Sequence, residues 1–250
     1  MRMQKRGRAW ALALATLAAA MAGPTPGQAQ SGAETPVVVE LFTSQGCNSC
    51  PPADALLGEL TAEPGVIGLT YNVDYWNYLG WRDRFSKPAH TERQRAYASS
   101  LGASSIYTPQ MVVQGDLPVP GNRREAVDLG VAEAQARAGG GEIRIFEEDG
   151  ALKADLVDIE PDAMVFIASF RQEEEVKIRR GENAGRTLTY HNVVRELSRV
   201  GSAKATGGRL MLPQPRRGEG IAIWAQRRNS GAVLAAERHL HGAAVSLLAR

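Results

Sequence analysis

The chain holds two cysteines in 250 residues, and they stand three apart in "LFTSQGCNSCPPADALLGEL". Thiols at that spacing can close a small disulfide ring or share a mixed disulfide with a partner. Where a helix follows, its unpaired backbone N–H groups and the positive end of its dipole favour thiolate over thiol. The thiolate is the nucleophile. Cys47, at the helix mouth, is then the attacking sulfur, and Cys50, one turn on, resolves the mixed disulfide. Asp54, four residues after Cys50, falls on the same helix face. It either relays a proton for the pair or is a first-turn carboxylate favoured by the dipole. Other uses of the cysteines stay open. A static disulfide across so short a loop would stabilise little. Zinc needs four ligands in a structural site, and there is no second cysteine pair. Copper(I), a soft ion, could be held by Cys47, Cys50 and one of the four scattered histidines.

Exchange chemistry of this kind requires a strand to deliver the cysteines and a helix to receive them. Residues 37–42 are a short, β-branched, apolar run bounded by Pro36 and Gly46, which predicts a buried strand. Residues 51–60 predict a helix, with Pro51 suited to a first turn where a missing N–H costs nothing. A second strand follows at 66–73 and a second helix at 87–102, ending on glycine. Residues 110–115 and 117–120 predict a hairpin, and 122–138 a helix capped by Asn122. Gly139 to Gly141 then break this β-α-β-α-β-β-α order. Beyond the break the pattern is strand alternation: 142–149 and 151–159 around Gly150, an apolar strand at 163–170, and 174–180 and 186–194 around the turn residues "GENAG". A last pair falls at 220–226 and 231–240. No convincing long helix is predicted there.

The N-terminus has to be set apart first. Arg2, Lys5, Arg6 and Arg8 precede an apolar run of about 14 residues, too short to span a bilayer comfortably. A small-residue and proline segment follows. This is the layout of a secretory signal peptide over residues 1–29, cut near Ala29, with an uncleaved anchor as the alternative. Export implies a periplasmic or secreted protein in an oxidising compartment, with no stable membrane insertion after cleavage. The composition, 44% hydrophobic and 22% charged, is that of an ordinary globular protein. Such a length buries a core without help from a disulfide. A net charge of +2 is too small to argue for nucleic acid. No glycine loop has the strand–helix context of a phosphate cradle, so no organic cofactor is implied.

"IYTPQMVV" sets Tyr107-Thr108-Pro109 before a short strand, and with the cysteine motif upstream the chain resembles the thioredoxin-like proteins. The resemblance implies a cis Thr108–Pro109 bond opposite the cysteines, with the Thr108 backbone free to pair with a bound peptide. Pro109 joins Cys47 and Cys50 as a site residue, and Thr108 and Gln110 line the docking surface. It also implies a buried strand carboxylate near the resolving cysteine. Glu40 is the candidate, although the spacing differs by one residue and Leu41 can occupy that place instead. "VELFTSQGCNSCPPAD", "YNVDYWNYLGWRDRFS", "RQRAY", "YTPQMVVQG" and "GRTLTYHNVVREL" together resemble a family of exported bacterial proteins, the domain of unknown function 1223 family. The aromatic insert, with Trp76 and Trp81, is then either a rim for a peptide or small thiol, or a packed connection. His191 and Asn192 either cover the cysteines or make hydrogen bonds at a strand end.

The expected architecture is α/β: a thioredoxin-like domain over residues 30–140, with a central mixed sheet flanked by helices. An antiparallel β-sandwich-like unit over 141–250 follows, as a separate domain or as an elaboration packed on the first. The expected activity is thiol–disulfide exchange with protein or small-molecule thiols and disulfides. The alternatives are a non-catalytic exported binding protein or a copper(I)-handling thiol protein.

Overall fold

The computed structural model describes residues 35–137, 139–228 and 231–242; the expected signal peptide and its cut near Ala29 lie outside them. The strand that delivers the cysteines, β1 (Val37–Thr43), is buried along its whole length. That burial explains its near-continuous apolar sequence. Helix α1 (Pro51–Ala62) returns the chain to β2 (Val66–Asn72), which pairs parallel to β1. Then come α2 (Pro88–Ser100), β3 (Gln110–Val113), β4 (Leu117–Pro120) and α3 (Arg124–Gln135). Strand β3 pairs antiparallel with β1 on its other side. Asn122 does not cap α3. The cap is Arg123, without a side-chain bond, because the turn after β4 uses the Arg123 N–H on Pro120 O and delays the helix.

The second half supplies β5 (Glu142–Glu148), β6 (Ala151–Val157), β7 (Met164–Lys177), β8 (Thr187–Ser202), β9 (Arg209–Met211), β10 (Glu219–Gln226) and β11 (Val233–Leu240). Two strands expected at 163–170 and 174–180 are one continuous strand of 14 residues. Four of these strands extend the first sheet. Its order is β11-β10-β7-β8-β2-β1-β3-β4, while β5, β6 and β9 form a small sheet of their own. The halves meet where β8 runs parallel to β2 at Thr70 and Val193. Asn192 takes a left-handed conformation there (φ 47°), which asparagine tolerates. Its amide donates to Gly68 O (2.9 Å), and the Thr70 hydroxyl donates to His191 O (2.6 Å). Asn192 thus makes a hydrogen bond as one of its two expected roles requires, but from inside β8 and not at a strand end.

Side-chain alternation sorts the core into faces. Val37, Val39 and Leu41 pack with Leu56, Leu57 and Val127 under α1 and α3. Phe42, Leu69 and Tyr71 point the other way, toward Tyr97 of α2, in a cluster that continues to Phe170 and Trp224. The small sheet covers Val165, Ile167, Ile221 and Ile223. The far strand also returns to the near one. Val233 N donates to Gln114 O (2.8 Å), and the Gln114 amide donates to Val233 O (3.1 Å). The approach is so close that a Cβ on Gly115 would sit 2.0 Å from Gly231 O.

Candidate functional site around the cysteine pair

Cys47 and Cys50 form a disulfide, with Cα atoms 5.4 Å apart. Cys50 is the N-cap of α1, so the pair sits at the helix mouth as the sequence suggests. The local electrostatics differ from the expectation in one respect. Pro51 and Pro52 fill the first two helical positions and have no N–H. The next two donors, Ala53 N and Asp54 N, both bond Cys50 O (2.8 and 3.1 Å). A thiolate here would draw on the helix dipole but on few backbone donors. The Ser49 hydroxyl, 3.4 Å from Cys47 Sγ, is the polar neighbour that remains.

The sulfurs are also covered. Cys47 is 1% exposed and Cys50 0%, whereas a reactive thiol is expected in a partly exposed setting. The cover is the turn at 178–186 between β7 and β8. The Asn183 amide donates to both Gln45 O (3.0 Å) and Cys47 O (2.9 Å), and Arg186 donates to Asn183 Oδ1 (3.0 Å). The aromatic insert contacts the same loop. Trp81 donates its indole N–H to Gln45 Oε1 (2.9 Å) and lies against Gly181 of the cover. Trp76 packs on Gly46 and donates to Thr108 Oγ1 (2.8 Å). That bond ties the Thr108–Pro109 segment to the cysteine loop. The Thr108–Pro109 bond is cis. Both tryptophans thus stand at the site, with their polar atoms already engaged by the protein.

Behind the disulfide lies a buried acidic chamber. Asp54 is 4% exposed, and neither of its carboxyl oxygens has a hydrogen-bond partner among the described residues. Burial pushes its pKa up to about 8. The Thr43 hydroxyl stands close enough to draw it back without reaching hydrogen-bond geometry, and the Asp83 carboxylate pushes it further up. Asp83 is buried as well but well supplied: it accepts from Gln45 N (2.9 Å), Asn72 Nδ2 (2.9 Å) and Phe85 N (2.8 Å). Burial nevertheless raises its pKa too. Tyr190 stands beside them; its hydroxyl has no partner among the described residues, and burial with the nearby Asp54 and Asp83 keeps it a phenol. Asp54 also borders a groove between α1 and β8 that Gly58 and His191 line. A Cβ on Gly58 would meet the His191 ring at 2.4 Å, so a side chain there would push the imidazole aside.

Two expected site residues stand elsewhere. Glu40 faces α2, on the opposite side of the sheet from α1. It accepts from Arg93 Nε (2.5 Å) and Nη2 (2.7 Å), and from the Tyr97 hydroxyl. Burial disfavours the Arg93 cation, but Glu40 with Tyr97 and Tyr71 more than restores it, so its pKa rises. Glu40 is therefore the partner of a buried cation and not a proton relay for the cysteines. Leu41 occupies the position that faces α1, so the carboxyl on that face comes from the helix itself, at Asp54. Gln110 is the second. Its side chain is buried, accepting from Gln94 Nε2 (2.8 Å), and Gln94 also donates to Tyr107 O (2.7 Å). Gln94 thereby joins Gln110 to the residue before the cis segment, and Gln110 presents no surface to a partner. Among the described residues, no three His, Cys, Asp or Glu side chains converge where a metal ion could be held.

The sequence reading missed Asn183, Asp83 and Tyr190. Asn183 was visible only as a residue between two turn glycines, and its contact with Cys47 spans 136 positions.

Residues 38–226 match the family model described as protein of unknown function (DUF1223). Among solved structures, a crystal structure of a protein from Agrobacterium tumefaciens is similar, at 30% identity and a TM-score of 0.68. The match covers 86% of this chain and 97% of that one. HBP35 of Porphyromonas gingivalis is similar in fold alone, at 14% identity and a TM-score of 0.53, over 87% of this chain and 79% of that one. No curated protein matches.

Proposed function

We propose that this chain, which belongs to the DUF1223 family, is an exported thiol–disulfide exchange protein on a thioredoxin-like scaffold, with Cys47–Cys50 as its redox pair. The observation that carries the reading is Asp54. A static disulfide has no use for a buried, unpartnered carboxyl one turn along its helix, and leaving one there is costly. An exchanging disulfide needs a group that gives and takes a proton near neutral pH as the inner sulfur switches between thiolate and thiol.

The chemistry follows. A partner thiolate attacks Cys47 Sγ. The Cys47–Cys50 bond breaks, a mixed disulfide forms on Cys47, and Cys50 leaves as a thiolate that takes the Asp54 proton. The partner's second thiol, once deprotonated, attacks its own sulfur in the mixed disulfide and releases Cys47. The partner dithiol loses two electrons and the cysteine pair gains them; the reverse sequence reduces a partner disulfide. The 178–186 turn must lift for a partner sulfur to arrive in line.

The near-zero exposure of both sulfurs favours a second reading, in which the disulfide is static and the scaffold binds a partner without chemistry. A Cys50→Ser variant expressed in the exporting cell separates the two. Exchange predicts mixed disulfides with cellular proteins or small thiols, resolved by mass spectrometry of the non-reduced variant. No trapped species, together with a wild-type pair that fails to equilibrate in glutathione buffers, would leave the static reading standing. N-terminal sequencing of the mature chain checks export by the position of the cut.

A further inference from the structure

On the α2 face, away from the cysteines, a cavity of about 220 Å³ opens between α2, β7 and the end of β10. Its walls are apolar: Met164, Phe166 and the Tyr97 ring. Its charges are all cationic, and they divide into two kinds. Arg93 at the floor is neutralised by Glu40, and Arg227 at the rim by Glu160. Arg199 and Arg228 have no carboxylate partner among the described residues. Both guanidinium groups instead point an N–H at one sulfur, Met164 Sδ, at 3.9 and 3.5 Å. A thioether is a weak acceptor, and it does nothing to offset the repulsion between two cations brought to either side of it.

We infer that this cavity is a binding site for a small dicarboxylate with an apolar body. The two uncompensated guanidinium groups fit two carboxylates, since the guanidinium fork matches carboxylate geometry. The apolar walls take the spacer between them. Phe166, stacked on Trp224 with ring centroids 5.6 Å apart, gives that wall a fixed, flat surface. Arg93 stays with Glu40 and holds the floor in shape. The site is separate from the disulfide and does not depend on its redox state.

Isothermal titration of the disulfide-intact protein with terephthalate at low ionic strength tests this. Neutral terephthalamide and inorganic sulfate serve as comparison ligands. We expect saturable one-to-one binding of terephthalate, weakened about tenfold in each of Arg199→Gln and Arg228→Gln through loss of a charge-assisted fork. Glu160→Gln frees Arg227 and should tighten binding. All three side chains lie at the surface, so the variants are expected to fold, and circular dichroism checks that they do. Absence of saturable terephthalate binding overturns the proposal, as does unchanged affinity in both arginine variants. Equal binding of the diamide overturns the role of charge, and equal binding of sulfate the role of the apolar body.

Discussion

Asp54 is a residue whose ordinary place on an amphipathic helix hides an unusual state. Its carboxyl is buried without a partner, and its pKa is raised to about 8. The folded state therefore holds the proton more tightly than the unfolded chain does. The stability that goes with the neutral form is complete below the unfolded value near 3.8 and drains away as pH rises through 8. Urea titrations of wild type and Asp54→Asn should show it. The variant's advantage grows between pH 5 and 8; a constant difference would mean that Asp54 is not protonated when folded. Taking the difference removes His90, whose burial lowers its pKa to about 4 and whose effect has the opposite sign. Asn183 makes the complementary case. Asn183→Ala removes both bonds to the cysteine loop, at a cost of about 1–3 kcal/mol. It should speed reduction of the disulfide by dithiothreitol at least several-fold, read by thiol release. An unchanged rate would show that the cover does not limit access.

At the scale of elements, α1 combines a helix mouth with two prolines. The dipole argument for an activated thiolate survives, but the donor argument does not. Pro51→Ala and Pro52→Ala together restore two N–H groups to the first turn. They should lower the Cys47 pKa in the reduced protein by on the order of one unit, measured as the pH dependence of alkylation. No shift would mean the restored donors point away from Cys47. The elements that position the cysteines were legible because each carries its own punctuation: Pro36 and Gly46 around β1, Pro51 on α1, Gly102 after α2. Strand β7 was legible at both ends but not as one strand. Between them, Arg171 to Glu173 carry no apolar residue, so the alternation lapses and one strand reads as two, although Val176 further on is buried. The partners of Glu40 and Asn183 were not legible for a different reason. They depend on which face of β1 meets α2 and on where a distant hairpin ends, neither of which any local pattern encodes.

For the whole molecule, the mixed sheet separates two chemistries. The disulfide and its acidic chamber belong to the face of α1; the Glu40–Arg93 pair and the cationic cavity belong to the face of α2. Glu40→Gln would strand a buried guanidinium and should destabilise the fold by about 3 kcal/mol or more. The disulfide reduction rate of the folded fraction should stay as in wild type. Thermal unfolding alongside thiol release measures both, and a changed reduction rate would show that the faces communicate.

The hook between Gln114 and Val233 bears on how such a molecule can come apart. The segments 37–120 and 164–240 clasp each other through Thr70 and Asn192, through Asn183 at the cysteine loop, and again at this hook. A fragment stopping at Gly140 would expose the edge of β2 and leave Gln114 without its mate. Loss of one clasp loads the others, so the two halves should melt together in one transition rather than in sequence.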